Sequence, residues 1–212
     1  SVFIQAWQFS AVLESENDRE AHIDFFSKVW GSFQSVMFLV GGFVTALSVP
    51  LIKILTTKAF YGASMYVPML TAAMVFSAFA NFMGSVYVVE KRSKNSFLTT
   101  MVGAVATLVL TFVLIKTPLG VQGAAIATFV SYLLVFVIRA VNASKYIPFK
   151  LYWVNVILNT AIIIVQTVFM VMCLPFNYPV QAVCVVLLGL VNFKFIKVFM
   201  VKMLSLVKGK IK

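Results

Sequence analysis

Few side chains in this sequence could carry out acid–base or metal chemistry. Five of the six carboxylates lie within the first 24 residues, and the sixth, Glu90, directly precedes the basic pair Lys91 and Arg92. The single histidine, His22, lies in the charged segment ESENDREAHIDFFSK. Catalysis and metal binding need carboxylates, histidines or cysteines that converge. The sequence therefore predicts no enzyme, no metal site and no cofactor.

Neutral polar side chains recur inside the apolar segments. Ala73, Ser77, Asn81 and Ser85 follow one another at intervals of four, so they share one face of a helix. Inside a membrane such groups either pair with a neighbouring helix or face a hydrated cavity. The residues alone leave both explanations open. The six candidate functional residues are Gln8, Gln34, Ser77, Asn81, Ser85 and Arg139.

These residues lie in a chain that is too apolar for a soluble domain. Hydrophobic residues make up 62% of the chain and charged residues 11%, against about half and about a quarter in soluble domains. A helix needs about 20 apolar residues to cross a bilayer. Six segments qualify, A (about 29–52), B (about 66–89), C (about 96–115), D (about 119–138), E (about 151–173) and F (about 178–197). The predicted fold is an all-α integral membrane protein, a bundle of six transmembrane helices plus the end of a preceding helix.

The basic residues are distributed asymmetrically across this predicted topology. With six spans, 14 of the 17 Lys and Arg residues fall on the side of the polar first loop, and Lys53, Lys58 and Lys116 fall on the other. By the positive-inside rule that side is cytoplasmic, and it includes the C-terminus. The net charge of +11 therefore needs no nucleic acid partner. The Lys-rich tail is expected to lie against anionic lipid headgroups.

The chain is predicted to have four parts. Residues 1–28 are the end of a preceding transmembrane helix and a charged cytoplasmic connection, and residues 29–141 hold four transmembrane helices. Residues 142–200 hold two more, and residues 201–212 are a basic cytoplasmic tail. Because Ser1 to Leu13 is already apolar and no Met begins the chain, we expect this to be the C-terminal portion of a longer protein.

The stretch LGVQGAAIATFVSYLLVFVIRA, Leu119 to Ala140, has small residues first and bulky residues later. Small residues let a helix approach its neighbours closely. The later bulky residues, Tyr132 included, are expected to face lipid and bulky partners. Arg139 is expected to end the helix at the cytoplasmic surface, where its charge can reach water.

This stretch resembles the twelfth helix of polysaccharide flippases in the multidrug/oligosaccharidyl-lipid/polysaccharide exporter superfamily. FIQAWQFSA, Phe3 to Ala11, is similar to the end of the family's eighth helix, and DFFSKVW, Asp24 to Trp30, to the start of the ninth. The resemblance implies that A to F are helices 9–14 of a 14-helix transporter in the bacterial plasma membrane, whose other lobe is the missing N-terminal half.

The resemblance also implies a function. Such a protein flips undecaprenyl-diphosphate-linked oligosaccharide to the outer leaflet for surface polysaccharides such as O-antigen or capsule. Gln8, Ser77, Asn81 and Ser85 would then contact the glycan, and Arg139 would attract the diphosphate or anchor the helix at the membrane surface. The alternatives are a drug or cation exporter of the same superfamily, which should have an acidic cavity, and a non-transporting membrane scaffold subunit. A membrane glycosyltransferase would need acids that the spans lack.

Overall fold

The computed structural model describes residues 19–172, 174 and 176–209 of the 212, and within these it is helical without strands. Its elements are α1 (Arg19–Ala46), α2 (Ser48–Leu55), a 3-10 helix (Lys58–Met65), α3 (Val67–Val89), α4 (Ser93–Leu114), α5 (Val121–Tyr146), α6 (Trp153–Val171) and α7 (Asn177–Gly209). In this part of the chain six helices are long and apolar enough to cross a membrane, in α1 and in α3 to α7. The predicted all-α, multi-pass membrane architecture is confirmed.

The first span lies earlier in the chain than its predicted range of about 29–52. Helix α1 begins at Arg19 and ends at Ala46, and α2 follows after Leu47. The Leu47 amide still donates to the Phe43 carbonyl at 2.9 Å. Pro50 has no amide hydrogen to donate to the Ala46 carbonyl, which interrupts the helix here. The apolar run therefore continues past the end of α1 as a separate short helix.

Helix α5 is longer than predicted, and Arg139 does not end it. The helix continues to Tyr146 and stops at Ile147, whose backbone is extended at φ −124° and ψ 107°. Pro148 follows, and a proline disfavours helical backbone in the residue before it. The prediction that Arg139 marks the cytoplasmic end of the helix is therefore wrong, because the helix is terminated at Pro148 rather than by the end of the apolar run.

Contacts divide the chain into two compact units. Among the described residues, the first unit contains 19–27 and 66–151, and the second contains 28–65, 152–172, 174 and 176–209. Helices α3, α4 and α5 thus belong to the first unit. Most of α1 belongs with α6 and α7 in the second. The units therefore do not follow chain order, whereas the four predicted parts were consecutive segments.

In the first unit, α5 packs along both α3 and α4, which share few contacts with each other. Aromatic side chains join α3 to α5, since the ring of Phe76 lies 5.5 Å from that of Phe129 and 5.7 Å from that of Phe136, centroid to centroid. On the other side, Gly103 of α4 lies so close to Val135 that a β-carbon there would overlap it. Because α5 lies between them, α3 and α4 splay apart.

In the second unit, glycines on α1 allow a close approach to α7. A β-carbon added at Gly31 would overlap the ring of Phe195, and one added at Gly42 would overlap Leu188. Helices α6 and α7 are joined by a fully buried amide pair, Asn159 and Asn192. Each donates to the other's side-chain oxygen, at 3.1 and 2.7 Å. Small residues and paired amides are the usual means of helix association in a membrane.

Candidate functional site

A groove of about 330 Å³ lies between α3 and α4, with α5 as its floor. The groove forms because α3 and α4 splay apart. They do so even though the turn that joins them, residues 90–92, is short. We call it the Arg139 groove. Its lining residues come from all three helices: Ser77, Ala80, Asn81, Thr100, Gly103, Ala104, Thr107, Ser131, Tyr132, Val135 and Arg139.

Arg139 bridges the two walls of the groove from its floor. Its side chain is 6% exposed. Nη1 donates to the Ala80 carbonyl of α3 at 2.8 Å. On α4, Nε donates to the Thr99 hydroxyl at 2.9 Å and Nη2 to the Thr100 hydroxyl at 2.8 Å, with a longer contact to the Ser96 carbonyl at 3.4 Å. The guanidinium therefore links α3 to α4.

The positive charge of Arg139 is not neutralised by these contacts. Its four acceptors among the described residues are uncharged, and of the described residues that line the groove Arg139 is the only charged one. A guanidinium has five N–H donors, so at least one hydrogen on Nη1 remains after these four contacts. A charged side chain within a membrane span usually pairs or serves the protein's function. The groove is thus suited to an anion.

Gly84 makes room for the guanidinium. A β-carbon at this position of α3 would lie 2.9 Å from Nη1 of Arg139. Only glycine leaves the guanidinium in place without a shift, and Ala80, one turn earlier, offers its carbonyl as an acceptor. The small residues beside the polar stripe of α3 therefore position the charge as well as the helix.

The end of the groove away from Arg139 is neutral and polar. Eight residues of α5 separate Ser131 from Arg139, which corresponds to about 12 Å along the helix axis. The Ser131 hydroxyl donates to the Ala127 carbonyl at 2.8 Å, and the Thr107 hydroxyl donates to the Gly103 carbonyl at 2.9 Å. Both oxygens keep lone pairs with which to accept further hydrogen bonds. Tyr132 adds an aromatic ring to the same end.

The structure brings together three of the six candidate residues. Ser77 and Asn81 line the groove with Arg139, and Asn81 is exposed there. Ser85 is buried instead, and its hydroxyl donates to the Phe82 carbonyl at 2.6 Å. Gln34 belongs to the second unit, where it is fully buried and neither of its amide atoms has a hydrogen-bond partner among the described residues. Gln8 lies outside the described residues.

Other groove residues were not among the candidates. Tyr132 lines the groove, so the expectation that it faces lipid and bulky partners does not describe its position. Thr99 and Thr100 hold the guanidinium from the first turns of α4. Their signal in the sequence was weak, because paired threonines near the start of a span are also compatible with ordinary helix packing.

A polar and aromatic cluster adjoins the start of α4. The Asn95 amide donates to the Tyr146 hydroxyl at 2.9 Å, and the Arg92 guanidinium lies over the Tyr146 ring, 5.6 Å from its centroid. Tyr146 also packs edge-on against Tyr87, with ring centroids 6.3 Å apart. This cluster ties the ends of α3, α4 and α5 together at the end of the groove that holds Arg139.

Comparison with protein-family models, with curated proteins and with solved structures finds no match to this chain. Functional inference therefore depends on the groove and on the sequence motifs.

Proposed function

We propose that this chain is part of a membrane transporter that flips undecaprenyl-diphosphate-linked oligosaccharide across the bacterial plasma membrane for surface polysaccharide assembly. The observation that carries the proposal is Arg139, a buried cation with only neutral partners at a polar groove. Arginine binds phosphate oxygens through strong charge-assisted hydrogen bonds. A diphosphate would supply the negative charge that the Arg139 partners do not.

The rest of the groove suits a glycan. Sugar hydroxyls both donate and accept hydrogen bonds, and the groove offers the Asn81 amide and the hydroxyls of Ser77, Thr107 and Ser131. These groups are uncharged, so they favour a neutral polar cargo. The combination of one cationic end and one neutral polar end matches a glycan attached to a phosphate.

The groove argues against a cation exporter. A cationic drug would be repelled by the unneutralised Arg139, and this repulsion is strong in a low-dielectric membrane interior. None of the described residues that line the groove is a carboxylate that could offset it. Among the transporter alternatives, an anionic cargo is therefore favoured.

A non-transporting scaffold remains the second candidate, and one observation favours it. The guanidinium makes four hydrogen bonds that connect α3 to α4. Such a clamp would stabilise the bundle without any cargo. The two candidate functions differ in one respect. In a folded protein that keeps these hydrogen bonds, the groove of a transporter also binds cargo, and the groove of a scaffold does not.

The proposed orientation follows from the basic residues. With the C-terminus in the cytoplasm, α5 runs toward the cytoplasm and Arg139 lies nearer that side than Ser131 does. In a transporter of this superfamily an N-terminal lobe would oppose this one, and the two lobes would alternate access to the cargo. The basic tail would lie against anionic headgroups.

The test compares Arg139→Gln with Arg139→Lys in the full-length protein, in a bacterial strain that lacks its own flippase. We expect Arg139→Gln to lower surface polysaccharide per molecule of flippase by at least about tenfold, because hydrogen bonds to a charged group contribute about 1.5–3 kcal/mol. Arg139→Lys keeps the charge and should retain part of the export. Normal export per molecule in Arg139→Gln would contradict the proposal and favour the scaffold.

A further inference from the structure

We propose that the Arg139 groove binds a single phosphorylated sugar in one orientation, with the phosphate at Arg139 and the sugar ring at Tyr132. This inference rests on the proposed function and specifies which part of the cargo occupies the groove.

The orientation is set by the order of groups along the groove. Thr100 of α4 contacts Arg139, and Gly103 contacts Val135 one turn of α5 earlier. Because α4 runs antiparallel to α5, Thr107 follows at the level of Ser131. The positive charge thus lies at one end, and the hydroxyl groups and the tyrosine lie at the other. A ligand with one anionic end and one neutral polyhydroxylated end complements this order.

The size of the groove limits the ligand. A volume of about 330 Å³ lies at the low end of the range of about 300–1,000 Å³ for small-molecule sites. About 12 Å separates the levels of Ser131 and Arg139 along α5. A phosphate and one pyranose ring fit these dimensions, whereas an oligosaccharide and a polyprenyl chain do not. The remaining sugars and the lipid must therefore lie outside the groove.

The neutral end of the groove is built to recognise a sugar ring. Tyr132 offers an aromatic face for the apolar C–H face of a pyranose, and its hydroxyl can donate or accept. The hydroxyls of Ser131 and Thr107 are already donating to their own helices. The half-buried Thr107 hydroxyl can therefore accept from a hydroxyl group of the sugar, whereas Ser131 is only 1% exposed. The Asn81 amide, exposed on the α3 wall, can donate as well as accept.

The orientation has a consequence for transport. If Arg139 lies nearer the cytoplasm, the bound sugar lies deeper in the membrane than its phosphate. The sugar next to the phosphate would therefore enter the protein ahead of the charged group. The neutral hydroxyl groups of the groove would form hydrogen bonds with this sugar in place of the hydrogen bonds to water that it loses.

The test measures ligand binding to the purified full-length protein in lipid nanodiscs. The probes are inorganic phosphate, free glucose, and the 1-phosphates of glucose, galactose and N-acetylglucosamine. We expect at least one sugar 1-phosphate to bind at least about tenfold more tightly than inorganic phosphate. Free glucose should bind more weakly than inorganic phosphate and more weakly than that sugar 1-phosphate. A tenfold difference in affinity between the sugar 1-phosphate and inorganic phosphate corresponds to about 1.4 kcal/mol, which the contacts of the sugar ring would supply.

Two variants locate the two ends. Tyr132→Ala should lower the affinity for the sugar phosphate to that for inorganic phosphate and leave phosphate binding unchanged. Arg139→Gln should abolish the binding of both. The matched control is Tyr178→Ala, because Tyr178 is a largely exposed tyrosine of the second unit, and this variant should change neither affinity.

The outcomes separate this inference from the proposed function. If no sugar 1-phosphate binds more tightly than phosphate, or if Tyr132→Ala weakens both ligands equally, the orientation is overturned. The anion site at Arg139 would still be supported if inorganic phosphate binds to the wild-type protein and Arg139→Gln abolishes that binding. If neither phosphate nor any sugar phosphate binds the wild-type protein, both proposals lose their site.

Discussion

Two buried polar sites, one in each unit, differ in what their surroundings leave available. In the first unit, Arg139 keeps an unneutralised charge beside a polar groove that nearby hydroxyls and an amide also line. In the second unit, Asn159 and Asn192 donate to each other within the α6–α7 contact, and Asn192 also donates to the Leu188 carbonyl. A polar residue in a membrane span therefore indicates function only when its surroundings leave part of it available to a ligand.

Glycine has two uses in this protein, and the first unit contains both, since Gly103 makes room for Val135. Gly84 in the first unit clears space for a charged group, whereas Gly31 and Gly42 in the second clear space for Phe195 and Leu188. The first use positions a functional side chain, and the second brings apolar helices together. Substitutions in the two units should accordingly affect export and stability separately.

Among the variants that keep Arg139, the largest expected effect on export is that of Gly84→Ala. The new β-carbon would require the end of the flexible Arg139 side chain to shift, so the bonds to Ala80 and Thr100 should lengthen. We expect export per molecule to fall by less than the tenfold that corresponds to about 1.4 kcal/mol, because the hydrogen bonds are weakened rather than lost. Surface polysaccharide, normalised to the amount of protein, is the measurement.

Gly189→Ala is the matched control for that prediction. Gly189 lies in α7, and a β-carbon there meets no atom within 4 Å. Export should be unchanged, with stability equal or slightly raised, because alanine favours a helix more than glycine does. Equal loss of export in both glycine variants would remove the special role of Gly84.

The next effect should appear in stability rather than export. Asn159→Leu leaves the Asn192 amide partly unpaired in the α6–α7 contact, and we expect a loss of about 1 kcal/mol in the free energy of unfolding. Adding Asn192→Leu should recover part of this loss, because both partners are then apolar. Unfolding in detergent, measured for the two single variants and the double variant, gives the coupling energy.

Export per folded molecule should stay normal in all three asparagine variants. A large fall in export without a fall in stability would contradict the division of roles between the two units, because it would give the paired amides a part in transport.

The smallest effect is expected for Gln34→Leu. Gln34 is fully buried, and neither amide atom has a hydrogen-bond partner among the described residues. Replacing an unsatisfied buried amide with an apolar side chain of similar size should leave stability unchanged or raise it by about 1 kcal/mol. Thermal unfolding checks the stability, and lost export at normal abundance would return Gln34 to the substrate path.

The helices were predictable from the sequence because a membrane demands long apolar runs. All six predicted spans have a counterpart, since about 20 apolar residues are required for each. The ends of the helices were harder to predict from the sequence. Pro50 interrupts the first run without changing its hydropathy, and α5 continues past Arg139 through Asn142 and Ser144 to the residue before Ile147.

The groove was only partly predictable. The spacing of Ser77 and Asn81 placed them on one face, and that face does line the groove. The sequence could not indicate that α5 lies between α3 and α4, which depends on tertiary packing at Phe76 and Gly103. Nor could it show that Gln34 belongs to another unit, because contacts between helices do not follow chain order.

The central claim is that Arg139 is a cation available to the anionic part of the cargo. The most direct measurement is the affinity of the full-length protein in nanodiscs for undecaprenyl diphosphate, compared between wild type and Arg139→Gln. We predict that the variant binds at least about tenfold more weakly, because it loses charge-assisted hydrogen bonds to phosphate. Equal affinities in two proteins of equal stability would contradict the account and leave Arg139 as a clamp between α3 and α4.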